Sequence, residues 1–304
     1  MISNIFKQPI IILSAPRAGS TLLFELLAQA KDLWTIGGES HAAIEGIPQF
    51  RPGYQGSISN VLTDKDGDQH SISLLKQTFQ NSLINRDRKK YSLESNGAIR
   101  FLEKTPKNSL RIRFLNKVFP DAKFIFLVRD PKENISSILD AWNSKNFITY
   151  PNLPDFKDRW SLLLLPNWPD LKNKSNPEIA TRQWQTCNET ILNELKEIPN
   201  DRWTIVNYQD LILNPDNVIS KTCEFIGVEK DQHLTDITNN RLSLSEFTLT
   251  APKNNKWHKN ASLLFPHMSK LTNIIAEINK LLDISKAKKI NNVIDKEVLK
   301  STNN

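Results

Sequence analysis

An apolar run, a loop of small residues and an amphipathic helix follow one another near the start of the chain. The run from Ile10 to Leu13 is continuously apolar and predicts a short buried strand. After the loop at 14–19, leucines recur with helical spacing at positions 22, 23, 26 and 27. The N-terminus of a helix binds anions through its unpaired backbone N–H groups and positive dipole end, so this corner predicts a phosphate site.

The loop departs from the Walker pattern G-x-x-x-x-G-K-[ST] in an informative way. Gly19 permits close approach of a ligand, and Ser20 and Thr21 add hydroxyls. Ser20 stands where the Walker lysine would reach the β- and γ-phosphates, so ATP chemistry is disfavoured. Arg17 instead supplies a permanent charge that can meet an anionic transferring group without a metal. Because ordinary α/β packing also produces this corner, a second site has to decide.

A second strand-to-helix corner lies at residues 123–139. Its apolar run, Phe124 to Val128, is expected of a parallel strand that is buried on both faces. An N-cap residue, a first-turn proline and a capping-box acid then start a helix: Asp130, Pro131 and Glu133. Ser137 lies about two turns along that helix, so Arg129 and Ser137 can bind one anion together. The alternative is a structural ion pair for Arg129 and a surface position for Ser137.

Together the two corners resemble the PAPS-dependent sulfotransferases, whose donor is 3′-phosphoadenosine 5′-phosphosulfate (PAPS). The segment P-R-A-G-S-T is similar to the 5′-phosphosulfate loop of that family. The resemblance implies that five residues of this segment contact the donor: Arg17, Ala18, Gly19, Ser20 and Thr21. The spacing of eight from Arg129 to Ser137 is similar to the 3′-phosphate site of the family.

Two later segments extend the resemblance. WTIVNYQDLILNP, at 203–215, is similar to a strand and loop of that family and implies Tyr208 near the nucleotide, with Gln209 in place of the usual Glu. The basic loop at 252–260 is similar to one that closes over the nucleotide, and Lys256 is the expected contact. A solvated loop explains the same basic residues.

The resemblance runs from about residue 9 to about residue 260 and implies an α/β fold, a P-loop-like core with a central, mostly parallel sheet flanked by helices. Because the 304 residues contain no linker or strong composition break, we expect a single sulfotransferase domain over 1–304. The Pro-punctuated aromatic stretch at 142–176 predicts an acceptor-pocket wall or lid, or else an excursion of the core. The polar tail from about Lys286 is expected to fray.

Composition narrows the ligand classes. The net charge of +7 favours anionic ligands, but the lysines are scattered and no nucleic-acid-binding motif appears, so no nucleic-acid partner is expected. The spacing of Cys187 and Cys223 predicts neither a disulfide framework nor a metal site. We expect the reaction to require no metal. No stretch is long enough to span a membrane. Lacking the N-terminal anchor of Golgi sulfotransferases, the chain is expected to be a cytoplasmic enzyme; its oligomeric state is not predicted.

The base that removes the acceptor proton is implied by resemblance. Lys104 begins a K-T pair that is followed by a proline where cytosolic small-molecule sulfotransferases carry a histidine, so that base is missing. Tyrosylprotein sulfotransferases use a Glu about twenty residues beyond the loop glycine, where this chain has G-G-E-S-H. The resemblance implies Glu39 as the catalytic base, with His41 as the alternative. A capping or ion-paired Glu39 on a surface turn is the non-catalytic interpretation.

Lys104 is the second expected electrostatic group. It ends a short strand pattern and would point at the carboxyl edge of the sheet, toward the sulfuryl oxygens. The alternative is a structural ion pair with Glu103 or another neighbour.

The predicted function is in-line transfer of a sulfuryl group from PAPS to a hydroxyl acceptor, which leaves 3′-phosphoadenosine 5′-phosphate (PAP). Similarity to bacterial sulfotransferases, including modules of polyketide assembly lines, favours a small or apolar metabolite as acceptor; a peptidyl tyrosine is the rival. A kinase or NTPase would require a lysine in place of Ser20. A non-catalytic nucleotide- or polyanion-binding protein would be favoured if Glu39 and Lys104 lay far from the loop.

Overall fold

The computed structural model describes residues 5–54, 56, 58–240, 255–294 and 299, with the backbone alone for residues 95 and 96. The strands in this part of the chain are β1 (Ile10–Leu13), β2 (Leu33–Trp34), β3 (Arg100–Lys104), β4 (Lys123–Val128), β5 (Ile148–Tyr150), β6 (Trp160–Ser161) and β7 (Trp203–Asn207). Five of them form a parallel sheet in the order β2-β3-β1-β4-β7, and β5 and β6 form a separate antiparallel hairpin.

Helices flank this sheet. They are α1 (Ser20–Leu27), α2 (His41–Glu45), α3 (Gln69–Ser82), α4 (Leu93–Asn96), α5 (Ile112–Val118), α6 (Pro131–Ser144), α7 (Asn176–Leu195), α8 (Tyr208–Leu213), α9 (Pro215–Ile226), α10 (Gln232–Asn239), α11 (Ala261–Met268) and α12 (Thr272–Ile284). The expected α/β fold with a central parallel sheet is therefore confirmed. No helix in the described ranges combines the length and apolar character needed to cross a membrane.

The central strand β1 is buried on both faces. Successive side chains of a strand point to opposite faces, so Ile11 and Leu13 join the larger apolar cluster while Ile10 and Ile12 join a second one. The second cluster also contains the leucines predicted to form the buried stripe of α1, apart from the partly buried Leu22. The sheet is thus held between two apolar layers, and the predicted strand-loop-helix corner is confirmed.

The aromatic stretch at 142–176 contributes to the larger cluster. Trp160 is fully buried, and its ring centroid lies 5.4 Å from that of Trp142 and 4.9 Å from that of Phe156 in edge-to-face contacts. These aromatic residues are core. Other residues of the same stretch line the cavity described below, and their role as an acceptor-pocket wall or lid stays a prediction.

Two local expectations are wrong. In the described part of the predicted tail, residues 286–294, Ile290 and Ile294 are buried against the domain, so this part is not a frayed segment; residues 295–298 and 300–304 of the tail lie outside the described residues. The segment after β7 is the helix α8 and not a loop, because the Asn207 side chain accepts a hydrogen bond from the Gln209 backbone N–H at 2.7 Å and caps the new helix.

Candidate active site

A cavity of about 770 Å³ lies where the carboxyl ends of β1, β3, β4 and β7 meet at one edge of the sheet. The residues expected at the site that line it are Arg17, Gly19, Ser20, Thr21, Glu39, His41, Arg129, Ser137, Tyr208 and Lys256. Ala18 is fully buried and does not line the cavity. Lys104 is also buried, and its ammonium group reaches two of the lining residues.

The loop after β1 bends sharply around Gly19. Gly19 has φ of +101°, and a Cβ atom there would lie 2.3 Å from the ring of Tyr208, so only glycine fits. α1 starts at the next residue without a side-chain cap. Its first backbone N–H groups are therefore available to a ligand beside the hydroxyls of Ser20 and Thr21.

Arg129 connects the loop to the β4–α6 corner. Its Nη1 donates to the Arg17 carbonyl at 3.2 Å, and its Nη2 donates to Glu133 at 3.1 Å. Glu133 thus pairs with Arg129, and the expected capping-box contact is not what holds it. Asp130 caps α6, as expected, by accepting from the Lys132 N–H at 3.0 Å.

The Arg129 guanidinium also lies above an aromatic ring. Its central carbon is 4.7 Å from the ring centroid of Tyr208, and its Nε is buried without a hydrogen-bond partner among the described residues. Ser137, in the middle of α6, lines the same cavity. The predicted 3′-phosphate pair is therefore brought to one cavity with Tyr208.

Arg17, Arg129 and Lys256 share this cavity and repel one another. Burial lowers the pKa of Arg17, and the neighbouring charge of Arg129 lowers it further. Burial likewise lowers the pKa of Lys256, and both arginines add to that effect. Lys256 begins a short 3₁₀ turn, Lys256–Asn260; residues 252–254 of the predicted basic loop lie outside the described part of the chain. An anionic ligand would relieve this repulsion.

Glu39 and Lys104 form an ion pair beside the loop. Lys104 Nζ donates to Glu39 Oε1 at 2.7 Å and to Thr21 Oγ1 at 3.0 Å, while His41 Nδ1 lies 3.5 Å from Glu39 Oε2. Burial raises the pKa of Glu39, but the His41 hydrogen bond and the Lys104 charge outweigh it and hold that pKa below its ordinary value. Lys104 thus forms its ion pair with Glu39, a neighbour in space, which is the kind of pairing that the structural alternative expected.

Glu103 lies behind this ion pair. Its carboxylate is buried and accepts hydrogen bonds from the Ser40 hydroxyl and the Asn108 side-chain amide. The Ser40 backbone N–H donates to Thr105 Oγ1 at 2.7 Å. Burial raises the pKa of Glu103 to about 7. These contacts fasten the segment that carries Glu39 to the end of β3.

The far wall of the cavity comes from the β5–β6 hairpin and is mainly apolar. Its lining residues are Phe147, Ile148, Thr149, Leu162 and Leu163. The Arg17 guanidinium lies 4.9 Å from the ring centroid of Phe147. Lys107 lines the adjoining wall, where its Nζ donates to both oxygens of Glu45 at 2.8 and 2.9 Å and to the Tyr150 hydroxyl at 2.9 Å.

Residues 9–232 match the model of the sulfotransferase family. The chain belongs to this family. A curated relative, the protein-tyrosine sulfotransferase of Drosophila melanogaster, is 23% identical over 228 residues, a match that covers 73% of this chain. The chain spans 38% of the length of that relative.

A solved sulfotransferase shares the fold of this chain. STF9 from Mycobacterium avium is 17% identical with a TM-score of 0.50, over 94% of this chain and 78% of the other. The sulfotransferase domain of the curacin biosynthetic pathway is 21% identical with a TM-score of 0.48, over 84% of this chain and 97% of the other. The family match decides against the kinase or NTPase alternative.

The site of this sulfotransferase includes residues that the sequence did not single out. Phe147 lies in the aromatic stretch already noted, but nothing in the sequence indicated that it faces Arg17. Lys107 follows the K-T-P segment directly, so its nearness to Lys104 along the chain was the available signal. Glu103 entered only as a possible partner of Lys104, and its contact with Ser40 links residues 63 positions apart.

Proposed function

We propose that this sulfotransferase moves a sulfuryl group from PAPS to the hydroxyl group of a small, apolar acceptor, with Glu39 as the base. One observation carries the proposal. A single cavity is lined by Arg17, Arg129 and Lys256, by the first residues of α1, by the carboxylate Glu39 and by a mainly apolar wall. The cations suit a donor with several negative charges, and the carboxylate suits a neutral hydroxyl.

The donor end is proposed to read two phosphate positions. Arg129 and Ser137 bind the 3′-phosphate beside Tyr208, and Lys256 closes over the nucleotide. Arg17, Gly19, Ser20 and Thr21 hold the phosphosulfate through side chains and the N–H groups of α1. Ala18 contributes only its backbone, because its side chain is fully buried.

In the transfer step the acceptor oxygen attacks sulfur, and the bond from sulfur to the bridging phosphate oxygen breaks. The leaving PAP phosphate takes the electron pair, and Glu39 takes the acceptor proton. Lys104 lies between Thr21 and Glu39, so it can turn toward a sulfuryl oxygen and leave the carboxylate free to act. Arg17 and Lys104 supply the positive charge, and the scheme requires no metal.

The hairpin wall favours an acceptor with an apolar body. Phe147, Ile148, Leu162 and Leu163 offer little hydrogen bonding to a sugar or a peptide backbone. The likeness to a protein-tyrosine sulfotransferase makes a tyrosyl peptide the second candidate. Transfer of radiolabelled sulfate from PAPS to aliphatic alcohols, phenols and tyrosyl peptides distinguishes these classes.

The donor assignment is tested by thermal shift without Mg²⁺. Because Arg129 and Ser137 are proposed to bind the 3′-phosphate, PAP should stabilise the protein far more than ADP does. Arg129→Ala should lose about 2 to 4 kcal/mol of this preference, as for truncation of a buried charge pair. Equal shifts for PAP and ADP in the parent protein would contradict the proposal.

A further inference from the structure

Residues 287–294, here called the C-terminal strap, run without helix or strand past the β7–α8 corner. The Asn207 side-chain amide donates to the Lys288 carbonyl. The Lys288 backbone N–H donates to Asp210 Oδ2 at 2.7 Å. The strap therefore holds this corner on both sides of Tyr208.

The strap also holds the β4–α6 corner. Lys132 Nζ donates to the Asn291 carbonyl at 2.8 Å and to the Asn291 side-chain oxygen. The Asn291 backbone N–H lies 3.4 Å from Asp130 Oδ2. These contacts lie immediately beyond Arg129 in the chain.

The two corners are the ones whose relative position matters for the donor. The ladder between β4 and β7 reaches Val128 and Asn207, the last residues of both strands. The ladder ends at that pair, so it does not fix the positions of the residues that follow the two strands. Those residues are positioned relative to each other by the stacking of Arg129 on Tyr208 and by the strap contacts.

The strap has its own anchorage on the domain. Ile290 exchanges two hydrogen bonds with the Asn279 side chain, at 2.9 and 2.8 Å, and is buried. Asn292 Nδ2 donates to the Met268 carbonyl at 3.0 Å, away from the two corners. Because the strap is fixed to the domain by these separate contacts, it can hold the β7–α8 and β4–α6 corners in a defined position.

We propose that the C-terminal strap sets the position of Arg129 relative to Tyr208 that the 3′-phosphate requires, with Asn291 and Asp210 as positioning residues. This inference rests on the proposed donor site. It assigns a role in donor recognition to a segment that follows the matched family region and contributes no side chain to the cavity lining.

The experiment is calorimetric titration of PAP and of ADP into the full chain and its variants. Asn291→Ala and Asp210→Asn should each lower the ratio of PAP to ADP affinity by roughly tenfold, since Arg129 acts on the 3′-phosphate that ADP lacks. Asn292→Ala is the matched control, an adjacent asparagine of the strap that contacts Met268 instead, and should keep the parent ratio.

A double-mutant cycle separates positioning from general destabilisation. In the Arg129→Ala background, Asn291→Ala should have little further effect on the ratio, because its influence passes through Arg129. An unchanged ratio in both Asn291→Ala and Asp210→Asn would overturn the inference, as would an equal loss in Asn292→Ala or additive effects in the cycle. A parent protein that does not prefer PAP would remove the proposed function as well.

Discussion

Glu39 lies among groups with opposite effects on its proton affinity. Burial favours the protonated acid, whereas Lys104 and His41 favour the carboxylate and bring its pKa below the ordinary value. The carboxylate is therefore ionised at neutral pH, as the proposed role of a base requires, but its pairing with Lys104 lowers its basicity. Turning of Lys104 toward the sulfuryl group would restore the basicity at the moment of transfer.

Glu39→Gln keeps the size of the side chain and removes the basic lone pair. We expect single-turnover sulfation to slow by about 10² to 10⁴, with PAP affinity retained. His41→Asn is the companion variant and should have the smaller effect. A larger loss of rate in His41→Asn than in Glu39→Gln would assign the base to His41. The pH–rate profile of the parent protein would then have an acid limb typical of an imidazole.

Glu103 makes stability depend on pH. Its pKa rises from 4.5 to about 7 in the folded protein, so the folded state retains a proton that the unfolded chain has lost between these values. The stabilising contribution is complete below pH 4.5 and is lost as the pH rises through about 7. Glu103→Gln cannot ionise, so the difference between its free energy of unfolding and that of the parent should be larger at pH 8 than at pH 5, with the variant relatively more stable at pH 8.

Urea unfolding at the two pH values measures this difference. Gly38→Ala serves as the control, because it alters the same segment without adding or removing an ionisable group, and a Cβ atom there meets no atom within 4 Å. An identical gap between Glu103→Gln and the parent at both pH values would mean that Glu103 does not titrate in this range.

The loop before α1 requires glycine for two independent reasons. At Gly19 the backbone is left-handed, and the Tyr208 ring occupies the space that a side chain would need. Gly19→Ala should lower the free energy of unfolding by about 1 to 3 kcal/mol through strain and overpacking. It should also weaken PAP binding, because a displaced Tyr208 no longer supports Arg129.

Gly38→Ala is the control for this prediction. A Cβ atom at Gly38 meets no atom within 4 Å, and its φ is not left-handed. Its unfolding free energy, measured in urea, should stay within about 0.5 kcal/mol of the parent value. If Gly19→Ala had the same stability and PAP affinity as Gly38→Ala, the close packing of Tyr208 on the loop would contribute to neither property.

At the scale of elements, the sequence predicts what local signals encode. The corners at β1–α1 and β4–α6 follow from an apolar run and helix-start residues within about fifteen positions. The helix α8 was missed because its cap is the last residue of the preceding strand, Asn207, in a segment interpreted as a loop.

Contacts between segments that are distant along the chain could not be predicted from the sequence. Lys104 forms its ion pair with Glu39, which lies 65 positions away in the sequence. This pairing depends on how the loop that carries Glu39 packs on β3. The C-terminal strap has a polar sequence typical of a frayed tail, but burial of Ile290 and Ile294 and hydrogen bonds to the folded domain, such as those between Ile290 and Asn279, order it. Such pairings are fixed by tertiary packing, which one sequence does not reveal.

For the whole molecule, the order of the sheet explains how a chain of scattered functional residues makes one site. Parallel strands place all their carboxyl ends at one edge, so the residues that follow β1, β3, β4 and β7 converge there. Arg17, Lys104, Arg129 and Tyr208 each follow or end a different strand. Each functional group is therefore supported by the hydrogen-bonded sheet directly behind it.

The central place of β1 has a consequence for biosynthesis. Ile10 pairs with Leu102 on one side and Lys123 on the other, so the strand has neither neighbour until about a hundred more residues have been made. At 5 to 20 residues per second, that interval is roughly 5 to 20 seconds. During it, an entirely apolar segment waits unpaired on the ribosome, which makes β1 the segment of this sheet with the greatest need for chaperone protection.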